Sequence, residues 1–350
     1  MLKKVFLIVV LGNLFSFLFA YNPPAGGQNV LRISSPTLLT DGSSSAGGGF
    51  FNITPSSVVN NPALSAFEQR VILDLAGTML FDDKDESDKS VGGAFQTGIL
   101  IPSRWCVSTF LFQGVWVPFW DMHLGNSLNF TADFAKDIND KLAIGMSLNV
   151  GIFYGYDSDW NGGVNMGALY NFGDLLFMKD LRFGGALLNL GKPFENTELI
   201  GIEDNTEAEK WPGITPKFGV AATMYSSNQV DIGASLDISI PAFQNFVLDA
   251  GVQVFILDFI TVNSSWEYDA REYAEGDKNI IPSIGVSCKF MFNSKDGSML
   301  AKKGWAQSEM TVSGAWKQLY KNINAVSVGA TLNLGLEDTQ APEIILWENN

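Results

Sequence analysis

The sequence predicts an all-β fold, a transmembrane antiparallel β-barrel of about 14 strands. Three observations predict it: apolar residues that alternate with small or polar ones, a secretory leader, and no later apolar run as long as a spanning helix. Of the 350 residues, 46% are hydrophobic, and the mean hydropathy is +0.12. Apolar residues placed at every second position reconcile this hydrophobicity with the lack of a spanning run.

The clearest alternation is in the stretch Leu142–Tyr156, LAIGMSLNVGIFYGY. One face is apolar and ends in Tyr154 and Tyr156, whereas the other face is mostly small or polar. An apolar band closed by interfacial aromatic residues suits a strand that crosses a bilayer. The stretches 230–240 and 324–336 alternate in the same way.

The N-terminus has the pattern of an export signal. Residues 1–20 combine two lysines, a short apolar run and a small residue, Ala20, at the end. This pattern predicts a signal peptide over 1–20 and a mature chain that begins at Tyr21. An uncleaved membrane anchor is the alternative, but the apolar run is short for one.

Residues 21–69 precede the strands. The first part, 21–49, is rich in Gly, Ser and Pro and shows no period, which predicts an irregular lead segment. Asn61 is a good N-cap and Pro62 suits the first helical position, so a short helix is predicted there.

The barrel is predicted over 70–336, with a periplasmic tail over 337–350. Connections between strand patterns are mostly long at one end of the barrel and short at the other, as in bacterial outer-membrane barrels, with exceptions at 173–179 and 293–307. The strand patterns lie at 70–81, 94–101, 104–116, 122–135, 141–156, 161–172, 180–190, 215–226, 229–240, 245–256, 259–268, 280–292, 308–319 and 324–336.

Composition argues against several functions. The net charge is −15, and no basic stripe could neutralise the phosphates of a nucleic acid. His123 is the only histidine, and the sequence has no GxSxG, metal-ligand cluster or phosphate loop. We therefore expect no enzyme, no cofactor and no metal. Cys106 and Cys288 lie far apart in sequence, and nothing requires them to form a disulfide.

Alternation places several ionisable side chains inside the barrel. Their simplest role is to keep the lumen hydrated and to set its ion preference. These residues are Asp133, Lys217, Asp231, Asp237, Asp249, Glu267 and Lys289.

The third strand pattern differs from the others. Alternation fails at Phe110, Leu111 and Phe112, and Gly114 follows at a position where a glycine weakens a strand. A kink here would open a ligand path, or lateral gate, through the wall. A register shift of one residue or a fully packed strand are the alternatives.

A lead segment with Asn61, Pro62 and Ala63, followed by about 14 alternating strands, resembles the FadL family of outer-membrane long-chain fatty-acid transporters. It looks closest to an uncharacterised FadL-like branch that includes relatives of the PorV proteins. The resemblance implies that 21–69 form a plug or hatch, held in part by Asn61-Pro62-Ala63. It also implies that hydrophobic molecules leave through a kinked third strand.

The predicted function is therefore outer-membrane transport of hydrophobic small molecules such as long-chain fatty acids. A structural or secretion-partner barrel, or a general porin, is the alternative. The expected partners are outer-membrane lipids, a hydrophobic substrate and, for the alternative, a secretion or envelope protein.

Overall fold

The computed structural model describes residues 31–41, 44–82, 91–116, 126–154, 158–194, 212–257, 259–274, 281–294, 298–302, 305–319 and 323–335. The predicted signal peptide, the predicted tail and His123 lie outside the described residues.

Fourteen antiparallel strands form one closed barrel, in which sequence neighbours pair and the first strand pairs with the last. Closure leaves no free sheet edge, as a sheet in hydrocarbon requires. Each strand overlaps one predicted pattern, so the predicted fold class is confirmed. The strands are β1 (Val71–Asp82), β2 (Val91–Pro102), β3 (Val107–Trp116), β4 (Asn126–Asp137), β5 (Leu142–Tyr154), β6 (Ser158–Leu175), β7 (Met178–Lys192), β8 (Thr215–Ser226), β9 (Val230–Ser239), β10 (Val247–Ile256), β11 (Ile260–Asp269), β12 (Ser283–Asn293), β13 (Gln307–Gln318) and β14 (Ile323–Leu334).

The two faces of each strand differ as the alternation predicts. In β5, Ile144, Leu148 and Ile152 are exposed on the outside, whereas Ser147 and Phe153 are buried inside. Large apolar side chains cover the outer surface of the barrel, which is the surface that lipid would contact.

The kink expected in β3 is absent. This strand pairs without a register shift with β2, from Gly93↔Trp116 to Pro102↔Val107, and equally regularly with β4. Phe112 is exposed on the outside, whereas Leu111 is buried inside. At Gly114, the missing side chain leaves room for the ring of Phe95, so this glycine marks a close outer contact. The alternation fails because the inner face of β3 carries a packed leucine.

Register shifts occur instead in the β6–β7, β7–β8 and β8–β9 pairings. Near the first of them, Asn189 has a φ of 59°, a left-handed conformation that asparagine tolerates better than most residues. Its backbone N–H donates to Asn165 Oδ1 at 2.7 Å, which replaces a ladder bond lost at the shift.

The two ends of the barrel differ in their connections. At the short-turn end, where β1 begins and β14 ends, the connections include 103–106, 138–141 and 227–229. At the long-loop end they include 83–90 and 193–214. The long connection expected over 173–179 shrinks to 176–177, because β6 and β7 continue beyond their predicted ends. The other expected exception remains and contains a short helix, Met299–Lys302.

Residues 31–69, hereafter the N-terminal segment, pass through the inside of the barrel. They form a short α-helix, Pro36–Thr40, and two 3₁₀ helices, Pro55–Val59 and Pro62–Phe67. Asn61 is the N-cap of the second 3₁₀ helix, and its side chain accepts the Ala63 N–H at 2.9 Å. None of the helices in the described ranges is long and apolar enough to cross a membrane.

Candidate functional site: the lumen and its N-terminal segment

The N-terminal segment packs tightly against the wall formed by β3–β6. Leu64 and Ala63 are buried in an apolar cluster with Val107, Ala135 and Leu169 of this wall, and the cluster continues to β1 and β2. Removing such side chains from water stabilises the contact by roughly 25 cal/mol per Å² of apolar surface. This cluster lies at the short-turn end of the lumen.

Glycines allow the close approach on this side. A Cβ at Gly145 would overlap the backbone of Pro62, and one at Gly167 would overlap the side chain of Asn61. The Asn61 amide group donates to the Ala168 carbonyl at 3.0 Å and to the Ser45 carbonyl at 2.7 Å. Asn61 thus links two parts of the segment to the wall.

One predicted lumen charge belongs to this packed side. Asp133 of β4 is fully buried, and its Oδ2 accepts a hydrogen bond from the Ser65 hydroxyl at 2.9 Å. The carboxylate therefore contacts the segment rather than an open channel.

A second apolar cluster lies towards the long-loop end. Ile33 and Leu39 of the segment are buried with Leu80, Val115 and Phe153 of the wall. The lumen is thus banded along its axis, with apolar patches near both ends and mostly polar side chains between them.

A glycine-rich loop, residues 44–50, is held on the opposite side by polar side chains of the wall. The Arg182 guanidinium of β7 donates to the carbonyls of Ala46 at 3.2 Å and Gly48 at 2.6 Å. Asp237 of β9 accepts the Ser45 N–H at 2.6 Å. Gly47 and Gly48 have φ values of 87° and 80°, which other residues rarely adopt.

Gln253 of β10 closes the same loop. Its Oε1 accepts the Phe50 N–H at 2.8 Å, and its Nε2 donates to Asp41 Oδ1 at 3.2 Å. The surrounding protein desolvates the Asp41 carboxyl and raises its pKa to about 7, an effect that the hydrogen bond from Gln253 partly offsets.

Three carboxylates lie side by side on this wall and form a row: Asp237, Asp249 and Glu267 are direct cross-strand neighbours on β9, β10 and β11. Like charges in that arrangement repel each other, so they need nearby cations. Lys317 Nζ lies 2.9 Å from Glu267 Oε2, and Lys217 is fully buried in the same region.

The third cation of this region comes from the N-terminal segment. Arg32 Nη1 lies 3.8 Å from Asp249 Oδ2 and 3.8 Å from Glu267 Oε2. The segment also accepts a hydrogen bond from Lys217 Nζ at Asn60 Oδ1, at 3.0 Å. The segment therefore completes the charge balance of the row.

A cavity of about 380 Å³ lies at the short-turn end, between the segment and the wall from β7 to β14. Asp231 and Lys289, two of the predicted lumen charges, line it together with hydroxyl and amide side chains. Lys289 Nζ lies 3.5 Å from Glu309 Oε1, and the ring of Phe50 lies 6.1 Å from that of Phe255. The cavity is polar, with an aromatic patch at the segment.

A smaller cavity of about 70 Å³ lies farther along the lumen. It is lined by Leu31 and Arg32 of the segment and by wall residues that include Gln113, Asn149 and Asn165. The N-terminal segment lines both cavities and passes between them.

The structure thus places all seven predicted lumen charges on the inner face. Asp237, Asp249, Glu267 and Lys217 come together, Asp231 and Lys289 line the large cavity, and Asp133 lies apart on the packed side. Sequence reasoning missed Arg182, Gln253 and Arg32. Alternation places the first two on the inner face, but nothing local in the sequence shows that the segment passes beside them.

No group of three or more His, Cys, Asp or Glu side chains that could hold a metal ion occurs in the described part of the chain. Cys106 and Cys288 are both free.

Comparison with known proteins gives structural likeness only. The fold is similar to that of the TodX monoaromatic hydrocarbon channel, deltaS2 mutant, with a TM-score of 0.50 and 10% identity over 88% of this chain and 100% of that one. The Pseudomonas putida toluene transporter TodX gives 0.49 and 9%, over 91% of this chain and 100% of that one. A Pseudomonas aeruginosa FadL homologue gives 0.44 and 12%, over 90% and 97%.

No protein-family model matches the sequence, and no curated protein matches it significantly. At these identities the likeness shows the fold. At that level the predicted resemblance to FadL-type barrels is confirmed.

Proposed function

We propose that this chain carries small hydrophobic molecules across the outer membrane and that the N-terminal segment is the plug that closes its lumen at rest. The observation that carries the proposal is the path of the segment, which passes between two cavities and covers apolar patches of the wall. A barrel blocked in this way transports only when the segment moves.

The covered patches favour a hydrophobic solute. A plain water channel has a polar interior, whereas here Leu80, Val115 and Phe153 lie under the segment at one end. Ile72, Leu100 and Leu169 lie under it at the other. Movement of the segment would uncover the first of these patches, under Ile33 and Leu39, and an apolar solute would replace the contacts that the segment gave up there.

The sequence resemblance and the structural likeness suggest two different classes of transported solute. The sequence resemblance implies long-chain fatty acids, whereas TodX, whose fold is similar, is a monoaromatic hydrocarbon channel. Both classes are apolar, so the same uncovered patches serve either, and an uptake assay with one labelled member of each distinguishes them.

The proposed location is the outer membrane, reached after cleavage of the signal peptide at 1–20. The long-loop end faces outward in this arrangement, and the short-turn end opens to the periplasm together with the tail, 337–350. The lipid-facing outer surface and the contrast between the two ends support it.

A reversible lock on the segment tests the proposal. An ideal Cβ at Gly285 of β12 lies 3.3 Å from the Thr40 Cβ, close to the separation that a disulfide needs. The variant Thr40→Cys with Gly285→Cys, in a background with Cys106→Ser and Cys288→Ala, should form a disulfide between segment and wall. In intact cells that carry the variant in their outer membrane, uptake of labelled toluene or oleate should fall on oxidation and return on reduction.

The control is Thr40→Cys alone in the same background, whose uptake should not respond to oxidation. Uptake that continues through the fully oxidised pair would overturn the plug, and no uptake of either solute by the unmodified protein would overturn the transport function.

A further inference from the structure

The row formed by Asp237, Asp249 and Glu267 is balanced only while the N-terminal segment is in place. The wall supplies two nearby cations, Lys217 and Lys317, for three carboxylates. The third cation, Arg32, belongs to the segment. Removal of the segment therefore leaves the row with an excess of negative charge.

The resting contacts of the row are also incomplete. Asp237 Oδ2 and Asp249 Oδ2 have no hydrogen-bond donor among the described residues, although both residues are at most 1% exposed. Arg32 Nη1 likewise has no hydrogen-bond acceptor there, and its two ion pairs are long. Asp249 is ready to accept a mobile cation or the water around it, because its present partner, Arg32, is held 3.8 Å away.

We propose that the lumen conducts ions when the segment is displaced and that the row makes this conductance selective for cations over anions. The selectivity residues are Asp249 and Glu267, which lose Arg32, together with their neighbour Asp237. A wall whose charged side chains all have the same sign concentrates ions of the opposite sign in a narrow polar passage. The inference rests on the proposed movement of the segment and is independent of which hydrophobic solute is carried.

The neighbouring cations do not reverse this preference. Lys317 keeps its contact with Glu267 because both belong to the wall. Lys217 loses its Asn60 partner when the segment leaves, but Asp237 remains close enough on β9 to interact with it electrostatically. Each lysine is therefore matched by a carboxylate, and Asp249 is the one left over.

The experiment is single-channel recording in planar bilayers with different KCl concentrations on the two sides. The unmodified full-length protein should show brief openings in which potassium passes several-fold more readily than chloride. Arg32→Gln should raise the open fraction, because the segment loses its attachment to the row. Asp249→Asn with Glu267→Gln should abolish the preference for potassium.

Asp133→Asn is the matched control, since Asp133 is an equally buried inward carboxylate on the packed side, bonded to Ser65. It should leave the permeability ratio unchanged. Heat-dependent mobility on gels verifies that each variant is a folded barrel.

Openings that favour chloride, or neither ion, overturn the inference, as does a potassium preference that survives the double substitution. The absence of channel openings in both the unmodified protein and Arg32→Gln overturns the inference as well. Solute uptake by intact cells is measured separately, so a protein that shows no channel openings but still supports uptake of toluene or oleate leaves the proposed function standing.

Discussion

The two sides of the lumen hold the same N-terminal segment by different means. On the β3–β6 side, apolar side chains and close backbone contacts at glycines exclude water. On the β7–β13 side, charged and amide side chains hold a glycine-rich loop and face a cavity of about 380 Å³. The first kind of contact depends on shape and burial, and the second depends on charge and hydrogen bonds.

This difference decides which side would open. Burying a Leu or Ile side chain stabilises a contact by about 1.5–3 kcal/mol, whereas ion pairs often gain little beyond the cost of their desolvation. The packed side therefore supplies most of the attachment, and the polar side mainly fixes position. We expect the segment to pivot about Pro62–Phe67 while residues 44–50 move away from Arg182 and Gln253.

The largest effect is expected from breaking the packed side. In Gly145→Val, the new side chain collides with the backbone of Pro62, which cannot turn aside. The docked segment should lose about 3 kcal/mol or more, while the strand itself accepts valine well. Limited proteolysis should then cleave within 31–69 with the barrel intact.

Gly77→Val is the control for that substitution. A Cβ at Gly77 has no neighbour closer than 4.0 Å, on the lipid-facing side of β1. Its segment should remain protected from protease. If the segment is protected from protease as well in Gly145→Val as in Gly77→Val, the tight contact on the packed side is not what holds the segment.

A smaller and local effect is expected on the polar side. Arg182→Met keeps the length of the side chain but removes the donors to the carbonyls of Ala46 and Gly48. Water from the cavity can replace part of what is lost, so the cost should be roughly 1–3 kcal/mol. Hydrogen exchange should accelerate over 44–50 and stay unchanged over 62–67. Equal acceleration of both stretches would mean that the two sides release together.

A pH dependence should distinguish the sides further. Because burial raises the pKa of Asp41 to about 7, the docked segment binds this proton more tightly than the free segment does. Docking is therefore favoured at low pH and weakens as the pH rises from about 4 through about 7. Protection factors over 44–50, in which the intrinsic pH dependence of amide exchange is divided out, should fall across that range in the unmodified protein and stay constant in Asp41→Asn. A fall in protection that persists in Asp41→Asn would assign the effect to another group.

The barrel could be predicted from sequence because its signal is local. Alternation in a stretch such as Leu142–Tyr154 defines both faces of a strand without reference to any other part of the chain. The lumen contacts are not local: Arg182 and Ala46 are 136 positions apart. The sequence pattern around an inward arginine is the same whether its side chain contacts water or a loop. The partners of Arg182 therefore follow only from the path of the segment in the structure.

The expectation of a kink in β3 failed for the same reason, because contacts with the segment cannot be read from the local sequence. Leu111 interrupts the alternation because the inner face there is covered: Leu111 lies beside Gly98, and Pro55 of the segment approaches the same glycine. In the sequence alone, an apolar residue facing a lumen predicts a defect in the strand. In the structure, it is one more contact of the packed side.

The smallest effect is therefore expected at Gly114. The three atoms nearest to a Cβ there all belong to the ring of Phe95, which lies on the lipid-facing surface and can rotate away, so Gly114→Val should cost less than about 1 kcal/mol. The β3 ladder is already regular on both sides, and the substitution has no kink to straighten. Uptake of labelled oleate should match that of the unmodified protein, and the segment should stay protected from protease. Uptake that falls several-fold in a folded, protease-protected barrel would show that solutes leave sideways through β3 after all, and the division between a packed and a polar side would then not describe the route.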